Sequence, residues 1–267
     1  MAVSWATQVP DLRWLALGLL LTATSQARAD YPVAPDVVVF CEPTLQHAVA
    51  DVGAVWRSKT GIKIRVFTSP TSALLEQIAH NARDDVVIGE SDAQASAGID
   101  RHLIKKDMLQ RLWNNSLVVA ALNGASGGAD DSHRAAGKLT AAAGKAPIAI
   151  VDPWAATAGA DSEKALRSLG LWQAVSSKSI GVVGTADAAY LLAQGKVELA
   201  IVYATDVAAN PMFSVAEPLP AASYPPIIYW VAQTEHALSP NAAKFIAFLR
   251  SAEAQQPARA DGLEILP

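Results

Sequence analysis

Four short segments carry small hydroxyl residues, in three of them beside glycine, alanine or proline, each where a predicted strand gives way to a predicted helix. They are Pro43-Thr44, Thr71-Ser72, Thr157-Ala158-Gly159 and Gly184-Thr185. The first backbone N–H groups of a helix have no partner within it, and the aligned peptide dipoles leave partial positive charge there. Helix starts of this kind bind anions without lysine or arginine. The segments therefore indicate a site for a small anion. The alternative, that each hydroxyl only caps its own helix, stays open.

A second chemistry is offered by the segment Gly89-Glu90-Ser91-Asp92-Ala93, which follows a predicted strand and precedes a predicted helix. It is similar to the Gly-x-Ser-x-Gly turn that presents the nucleophile of many hydrolases, although the last glycine is here an alanine. The candidate partners for a triad with Ser91 are Asp152, Asp206 and His236. A serine hydrolase is thus an alternative from another class, and its test is ester turnover that is lost on Ser91→Ala.

Metal-ligating residue types are scattered along the chain. The candidates are Cys41, Glu42, His47 and His80. No pair of them has a recognised chelating spacing, so we expect no metal-cation site and no cofactor. The chain has one cysteine, which excludes an internal disulfide.

Strand and helix patterns alternate along the chain, which favours an α/β fold with mostly parallel sheets and helices on their faces. The predicted strands are Val37 to Cys41, Ile62 to Phe67, Asp85 to Gly89, Leu117 to Leu122, Ile148 to Val151, Ser179 to Val183, Leu199 to Tyr203 and Pro225 to Ala232. Predicted helices run from Leu45 to Trp56, Ser72 to Asn81, Ala158 to Leu169 and Thr185 to Gln194, with a last one starting at Ser239-Pro240. Asn123 to Lys145 reads as a loop with a weak helix.

The first residues predict export. Arg13 precedes the apolar run Trp14 to Thr24, and Ala27-Arg28-Ala29 has the small-x-small pattern of signal peptidase sites. We therefore expect residues 1–29 to be a signal peptide, the mature chain to begin at Asp30 and the protein to lie in the periplasm. The net charge is −4 and no Lys/Arg cluster stands out, so no nucleic-acid partner is expected.

From Val38 to about Ala232 the chain resembles the periplasmic molybdate-binding proteins, the substrate-binding components of ABC transporters with the type 2 periplasmic-binding fold. The segments that carry the resemblance are Asn115-Ser116-Leu117-Val118-Val119, Asp152-Pro153 through Thr157-Ala158-Gly159, Ile201 to Asp206, Tyr224-Pro225 and Glu76-Gln77-Ile78. The resemblance implies a monomer that captures a tetrahedral oxyanion, molybdate or tungstate, and delivers it to a membrane permease. Sulfate or an organic acid remains an alternative ligand.

The resemblance also implies which residues hold the anion, and all of them are neutral donors. The first lobe supplies Thr44 and Ser72 through hydroxyl and backbone N–H groups, and the second supplies the N–H groups of Ala158 and Thr185 together with the hydroxyl of Tyr203. Aligned dipoles of this kind stabilise an enclosed anion and still allow its release.

The implied fold has two lobes that close on the ligand by a hinge motion. We expect one lobe to comprise residues 30–113 plus 222–267 and the other residues 114–221, with crossings near Asn114 to Ser116 and Pro218 to Tyr224. Departures from the family's pattern fall in the first lobe, where Cys41-Glu42-Pro43 and Gly89-Glu90-Ser91 replace its usual residues. These departures place Glu42 and Glu90 near the cleft, where a carboxylate would repel a dianion unless it were protonated or pointed away.

Overall fold

The computed structural model describes residues 36–124, 137–143 and 145–266, so the predicted signal peptide and part of the Asn123–Lys145 segment lie outside it. Its strands are β1 (Val37–Cys41), β2 (Ile64–Thr68), β3 (Val86–Glu90), β4 (Gln110–Asn115), β5 (Leu117–Leu122), β6 (Ile148–Val151), β7 (Ile180–Val182), β8 (Leu199–Tyr203), β9 (Phe213–Pro218), β10 (Ile227–Gln233) and β11 (Glu264–Ile265). They form a six-stranded sheet in the order β11-β4-β10-β3-β1-β2 and a five-stranded sheet in the order β7-β6-β8-β5-β9.

Both sheets are mixed, which corrects the expectation of mostly parallel sheets. Strand β1 pairs in parallel with β2 and β3, and β6 pairs in parallel with β7 and β8. The other pairings are antiparallel, because the chain leaves the first sheet through β4, enters the second through β5, and returns from β9 to β10. Sequence reasoning missed β4 and β9. Both contain exposed and partly exposed positions among buried ones, so their sequences lack the continuous apolar runs of β5, β6 and β8.

Helices cover the faces of both sheets. They are α1 (Gln46–Thr60), α2 (Thr71–Ala79), α3 (Asp92–Asp100), α4 (Lys138–Ala142), α5 (Thr157–Ser168), α6 (Trp172–Ser176), α7 (Thr185–Ala193), α8 (Ala204–Ala208), α9 (Ala242–Leu249) and α10 (Ala252–Ala260). Helix α1 ends at Thr60 and is capped by Gly61, whose positive φ of 73° suits glycine. None of the helices in the described part is long and apolar enough to cross a membrane.

The two connections between the sheets contact each other. Strands of the first sheet fall within residues 37–115 and 227–265, and those of the second within residues 117–218. The backbone N–H of Leu117, just after the first connection, donates to the hydroxyl of Tyr224 in the second, at 3.0 Å. Sheet membership alone does not fix where one rigid body ends, so the lobe boundaries stay a prediction.

Candidate ligand-binding cleft

A cavity of about 490 Å³ lies where strands of both sheets end. This volume is in the range of small-molecule sites. Its lining includes all the residues expected to bind the ligand, namely Thr44, Ser72, Ala158, Thr185 and Tyr203. The first two belong to the segments that follow β1 and β2, Ala158 and Thr185 belong to those that follow β6 and β7, and Tyr203 is the last residue of β8. The fold therefore brings together the four helix-start segments of the sequence.

Two helix starts in the second lobe present free backbone donors to the cavity. Helices α5 and α7 follow Ala156 and Gly184, which are in extended conformation. Within the described residues, the N–H groups of Ala158 and Thr185 have no hydrogen-bond partner. Gly159 allows α5 to begin here, because a Cβ at this position would lie 2.2 Å from the carbonyl oxygen of Asp152. These unpaired donors and the positive ends of the helix dipoles suit an anion.

The hydroxyl of Tyr203 is a third donor in the second lobe. The residue is 3% exposed, and its buried hydroxyl oxygen has no hydrogen-bond partner in the described part of the chain. A buried hydroxyl without a partner is costly, so it indicates a group that is satisfied when something occupies the cavity. The backbone N–H of Tyr203 donates to Asp206 at 2.9 Å. Burial raises the pKa of Asp206 to about 6, and the backbone N–H of Tyr203 and the side chain of Thr185 act in the opposite direction.

In the first lobe, a carboxylate of the protein occupies the start of α2. Oε1 of Glu42 accepts a hydrogen bond from the N–H of Thr71 at 2.5 Å and another from the hydroxyl of the same residue. Burial raises the pKa of Glu42, and the two bonds from Thr71 act in the opposite direction. Ser72, the next residue, is exposed at the cavity. The first lobe thus places an acidic group at the cleft beside the neutral donors implied by the resemblance, as the departures from the family's pattern around Glu42 indicated.

Thr44 is engaged by a residue that sequence reasoning missed. Its hydroxyl lies 3.1 Å from that of Tyr229, which is fully buried and also lies 3.2 Å from Nδ2 of Asn115. A tyrosine inside the apolar strand β10 looks like a core residue in the sequence, and so does an asparagine at the end of β4. Only their adjacency in the first sheet shows that they hold Thr44 in place.

Glu90 reaches across the cleft. It ends β3, its backbone N–H donates to the hydroxyl of Thr71 at 2.9 Å, and the side chain of Thr157 at the start of α5 lies close enough to its carboxyl group to lower its pKa. Burial raises the pKa of Glu90 to about 8, and the nearby carboxylates of Glu42 and Asp161 act in the same direction. This carboxyl group is therefore mostly protonated at neutral pH.

The structure does not bring together the residues of a hydrolase. Ser91 lines the cavity and has a positive φ of 72°. The antiparallel register of β3 and β10 pairs Glu90 with Tyr229 and Val86 with Gln233. His236, three residues beyond Gln233, therefore lies near the opposite end of β3, where it interacts with Asp84. No histidine lines the cavity within the described residues, so Ser91 has no base to activate it.

In the part of the chain that the structure describes, the four metal-ligand candidates do not come together in one cluster. Cys41 is buried in β1, and burial raises the pKa of its thiol to about 12. Nδ1 of His47 lies 2.8 Å from Oδ1 of Asp261. Nδ1 of His80, which caps the end of α2, lies 2.7 Å from the carbonyl oxygen of Glu76 in the last turn of that helix. Each candidate thus has a separate structural role.

Two mixed sheets with flanking helices and a cleft at their strand ends define a two-lobed periplasmic-binding fold of type 2. Comparison with known proteins agrees. The model of the family of bacterial extracellular solute-binding proteins matches residues 37–264, and the chain belongs to this family. The chain is similar to the molybdate-binding protein ModA of Escherichia coli (strain K12), with 26% identity over 220 residues, 82% of this chain and 85% of the relative.

Solved structures share the fold. The substrate-binding domain assigned to a molybdenum ABC transporter of Clostridium difficile superposes with a TM-score of 0.72 at 22% identity, over 87% of this chain and 99% of that one. The periplasmic molybdate-binding protein of Azotobacter vinelandii gives 0.71 at 20% identity, over 86% and 99%. The resemblance stated from the sequence motifs is therefore confirmed.

Proposed function

We propose that this protein captures a tetrahedral oxyanion, molybdate or tungstate, in the cleft between its two lobes and presents it to the permease of an ABC transporter in the inner membrane. The export signal expected in residues 1–29 would carry it to the periplasm. The similarity to molybdate-binding proteins supports the choice of ligand.

The observation that carries this proposal is the set of unpaired donors in the second lobe. The N–H groups of Ala158 and Thr185 and the hydroxyl of Tyr203 lack partners among the described residues, and all three residues line one cavity. Donors without acceptors in a common cavity call for a ligand rich in acceptors. A tetrahedral oxyanion has acceptor oxygens in four directions, so it can satisfy donors from several elements at once.

A screen of ligands by thermal unfolding tests the proposal. A ligand at about 100 times its Kd adds about 2.7 kcal/mol to the free energy of unfolding, which raises the melting temperature by several degrees. We expect molybdate and tungstate to do so and sulfate much less, because donors set for longer metal–oxygen bonds leave sulfate with long, weak hydrogen bonds. Equal stabilisation by sulfate, or none by any tetrahedral anion, would refute the choice of ligand.

The cavity volume favours one further candidate, a small organic acid. About 490 Å³ exceeds what one tetrahedral anion fills, and Trp154 lies in an adjoining hollow with 95% of its surface exposed. An aromatic ring in that position could stack on the organic part of a ligand whose acid group meets the second-lobe donors. Organic acids in the same screen distinguish the two: their stabilisation should disappear in Trp154→Ala, whereas stabilisation by molybdate should not change.

A further inference from the structure

We propose that Glu90 is itself a ligand-binding residue, which as a neutral acid donates a hydrogen bond to the bound oxyanion. When Glu90 is ionised in the empty protein, the cleft must therefore take up one proton together with the anion. This inference rests on the proposed function, because it concerns an anion in the same cleft. It adds a binding residue and a proton to the neutral donors implied by the family resemblance.

The charges around the cavity are the first argument. Among the described residues that line it are Glu42 and Glu90 but no lysine, arginine or histidine. A dianion placed between two ionised carboxylates would be repelled by the like charge on each of them, and the low dielectric of a buried site strengthens this repulsion. The starts of α5 and α7 each offset only about half an elementary charge. At least one of the two carboxyl groups must therefore be neutral when a dianion is bound.

The hydrogen bonds decide which of the two is neutral. The carboxylate of Glu42 accepts from both the N–H and the hydroxyl of Thr71 and lies at the positive end of α2, and all of these favour its charged form. The carboxyl group of Glu90 has only the side chain of Thr157 near it as a neighbour that lowers its pKa. The proton therefore resides on Glu90.

The groups that face Glu90 add no positive charge. From the neighbouring elements these are Glu42 after β1, Tyr229 on β10, Asp161 on α5 and Tyr203 on β8. Asp161 is the one carboxylate among them with a cationic partner, Lys164, at 3.1 Å. The buried hydroxyl of Tyr203, which has no partner in the described chain, independently marks the place of a missing acceptor. A protonated Glu90 and Tyr203 can thus donate to the same ligand from opposite lobes.

The test is calorimetric titration of the full mature protein with molybdate between about pH 6.5 and about pH 9.5, a range in which the anion keeps its charge. In the wild type we expect constant affinity at the acidic end and a tenfold loss per pH unit above about pH 8, where the free protein must first take up a proton. Titration in two buffers of different ionisation enthalpy counts the protons, and the uptake should approach one per anion at the alkaline end.

Two variants complete the experiment. Glu90→Gln keeps an amide donor without a titratable proton, so its affinity should not vary with pH and should exceed that of the wild type at the alkaline end. Glu198→Gln, at an exposed glutamate just before β8 and away from the cavity lining, is the matched control and should behave as the wild type does.

The outcomes separate this inference from the proposed function. Tight molybdate binding by the wild type with no proton uptake and no pH dependence overturns the role of Glu90 and leaves the oxyanion function standing. Failure of the wild type and of Glu90→Gln to bind any tetrahedral oxyanion at any pH overturns both. The proton count is made on the wild type, so it decides the question even if Glu90→Gln folds poorly.

Discussion

Glu42 and Thr71 form a contact that makes the two lobes of the cleft different from each other. The carboxylate of Glu42, which follows β1, accepts a hydrogen bond from the N–H of Thr71 at 2.5 Å and another from its hydroxyl. The start of α2 is thereby already occupied by a negative group of the protein, whereas the starts of α5 and α7 remain free. The second lobe therefore offers free donors to an anion, whereas the carboxylate of Glu42 in the first lobe repels it.

The first prediction concerns Glu42. Replacement by glutamine keeps the size of the side chain and an oxygen that can still accept from Thr71, but it removes a like charge. Anion affinity should rise roughly 10- to 100-fold, which is about 1.4–2.8 kcal/mol, because the substitution removes a like charge that the positive end of α2 offsets only in part. Titration calorimetry with molybdate measures the change. Unaltered affinity would mean that the carboxylate is too well neutralised by α2 to affect the ligand.

A second prediction follows from the pKa of Glu90, which rises from an ordinary value of 4.5 to about 8 on folding. The native protein then holds a proton that the unfolded chain has lost. The stability contributed by this group is therefore fully present below about pH 4.5 and is lost as the pH rises through about 8. Urea unfolding of the empty protein should show Glu90→Gln gaining stability relative to the wild type over this interval.

Asp84 and Asp206 also have pKa values that are raised to about 6. Because both residues are present in the wild type and in Glu90→Gln, their contributions to stability cancel when the two proteins are compared. A difference between Glu90→Gln and the wild type that stays constant with pH would contradict the raised pKa of Glu90.

The third prediction concerns Gly159, where a Cβ would lie 2.2 Å from the backbone oxygen of Asp152. Gly159→Ala should lower the free energy of unfolding by about 1–3 kcal/mol, because backbone atoms on both sides must shift. Anion binding should weaken too, since the displaced element carries the N–H of Ala158. Gly181→Ala in β7 is the control, because a Cβ there meets no atom within 4 Å. Equal losses of stability in the two variants would show that the short distance between residue 159 and Asp152 is not the cause.

The fourth prediction concerns export. Protein purified from the native periplasm should begin at Asp30, as mass spectrometry of the intact chain can show. Ala29→Leu places a bulky residue in the small-x-small pattern and should leave the precursor uncut. A mature pool that retains Met1 would rule out the expected cleavage.

Much of the fold follows from the sequence, because buried strands give continuous apolar runs. Leu117–Leu122, Ile148–Val151 and Leu199–Tyr203 have the bounds that were predicted. The half-exposed strands β4 and β9 lack such runs and were missed, and with them the antiparallel pairings.

The composition of the cleft was predictable from its helix-start segments, but the bonding within it was not. The pair Thr71-Ser72 marked a helix start, yet sequence alone could not show that Thr71 would bond to Glu42, a residue 29 positions away. That contact depends on β1 and β2 being neighbours in the sheet, which is a property of the fold. The contacts of Tyr229 with Thr44 and Asn115 could not be predicted for the same reason.

Tyr203 provides the most direct test of an anion held by the second lobe. Tyr203→Phe keeps the buried ring and removes only the hydroxyl, which has no partner in the described chain. A hydrogen bond to a charged ligand contributes about 1.5–3 kcal/mol, so molybdate affinity should fall roughly 10- to 150-fold. Removal of an unsatisfied buried hydroxyl should leave the stability of the empty protein unchanged or slightly higher. Titration calorimetry with molybdate, with urea unfolding of the empty variant beside it, gives both quantities. Unchanged affinity together with a loss of empty-state stability above about 1 kcal/mol would make Tyr203 a structural residue and contradict an anion site built on the second lobe.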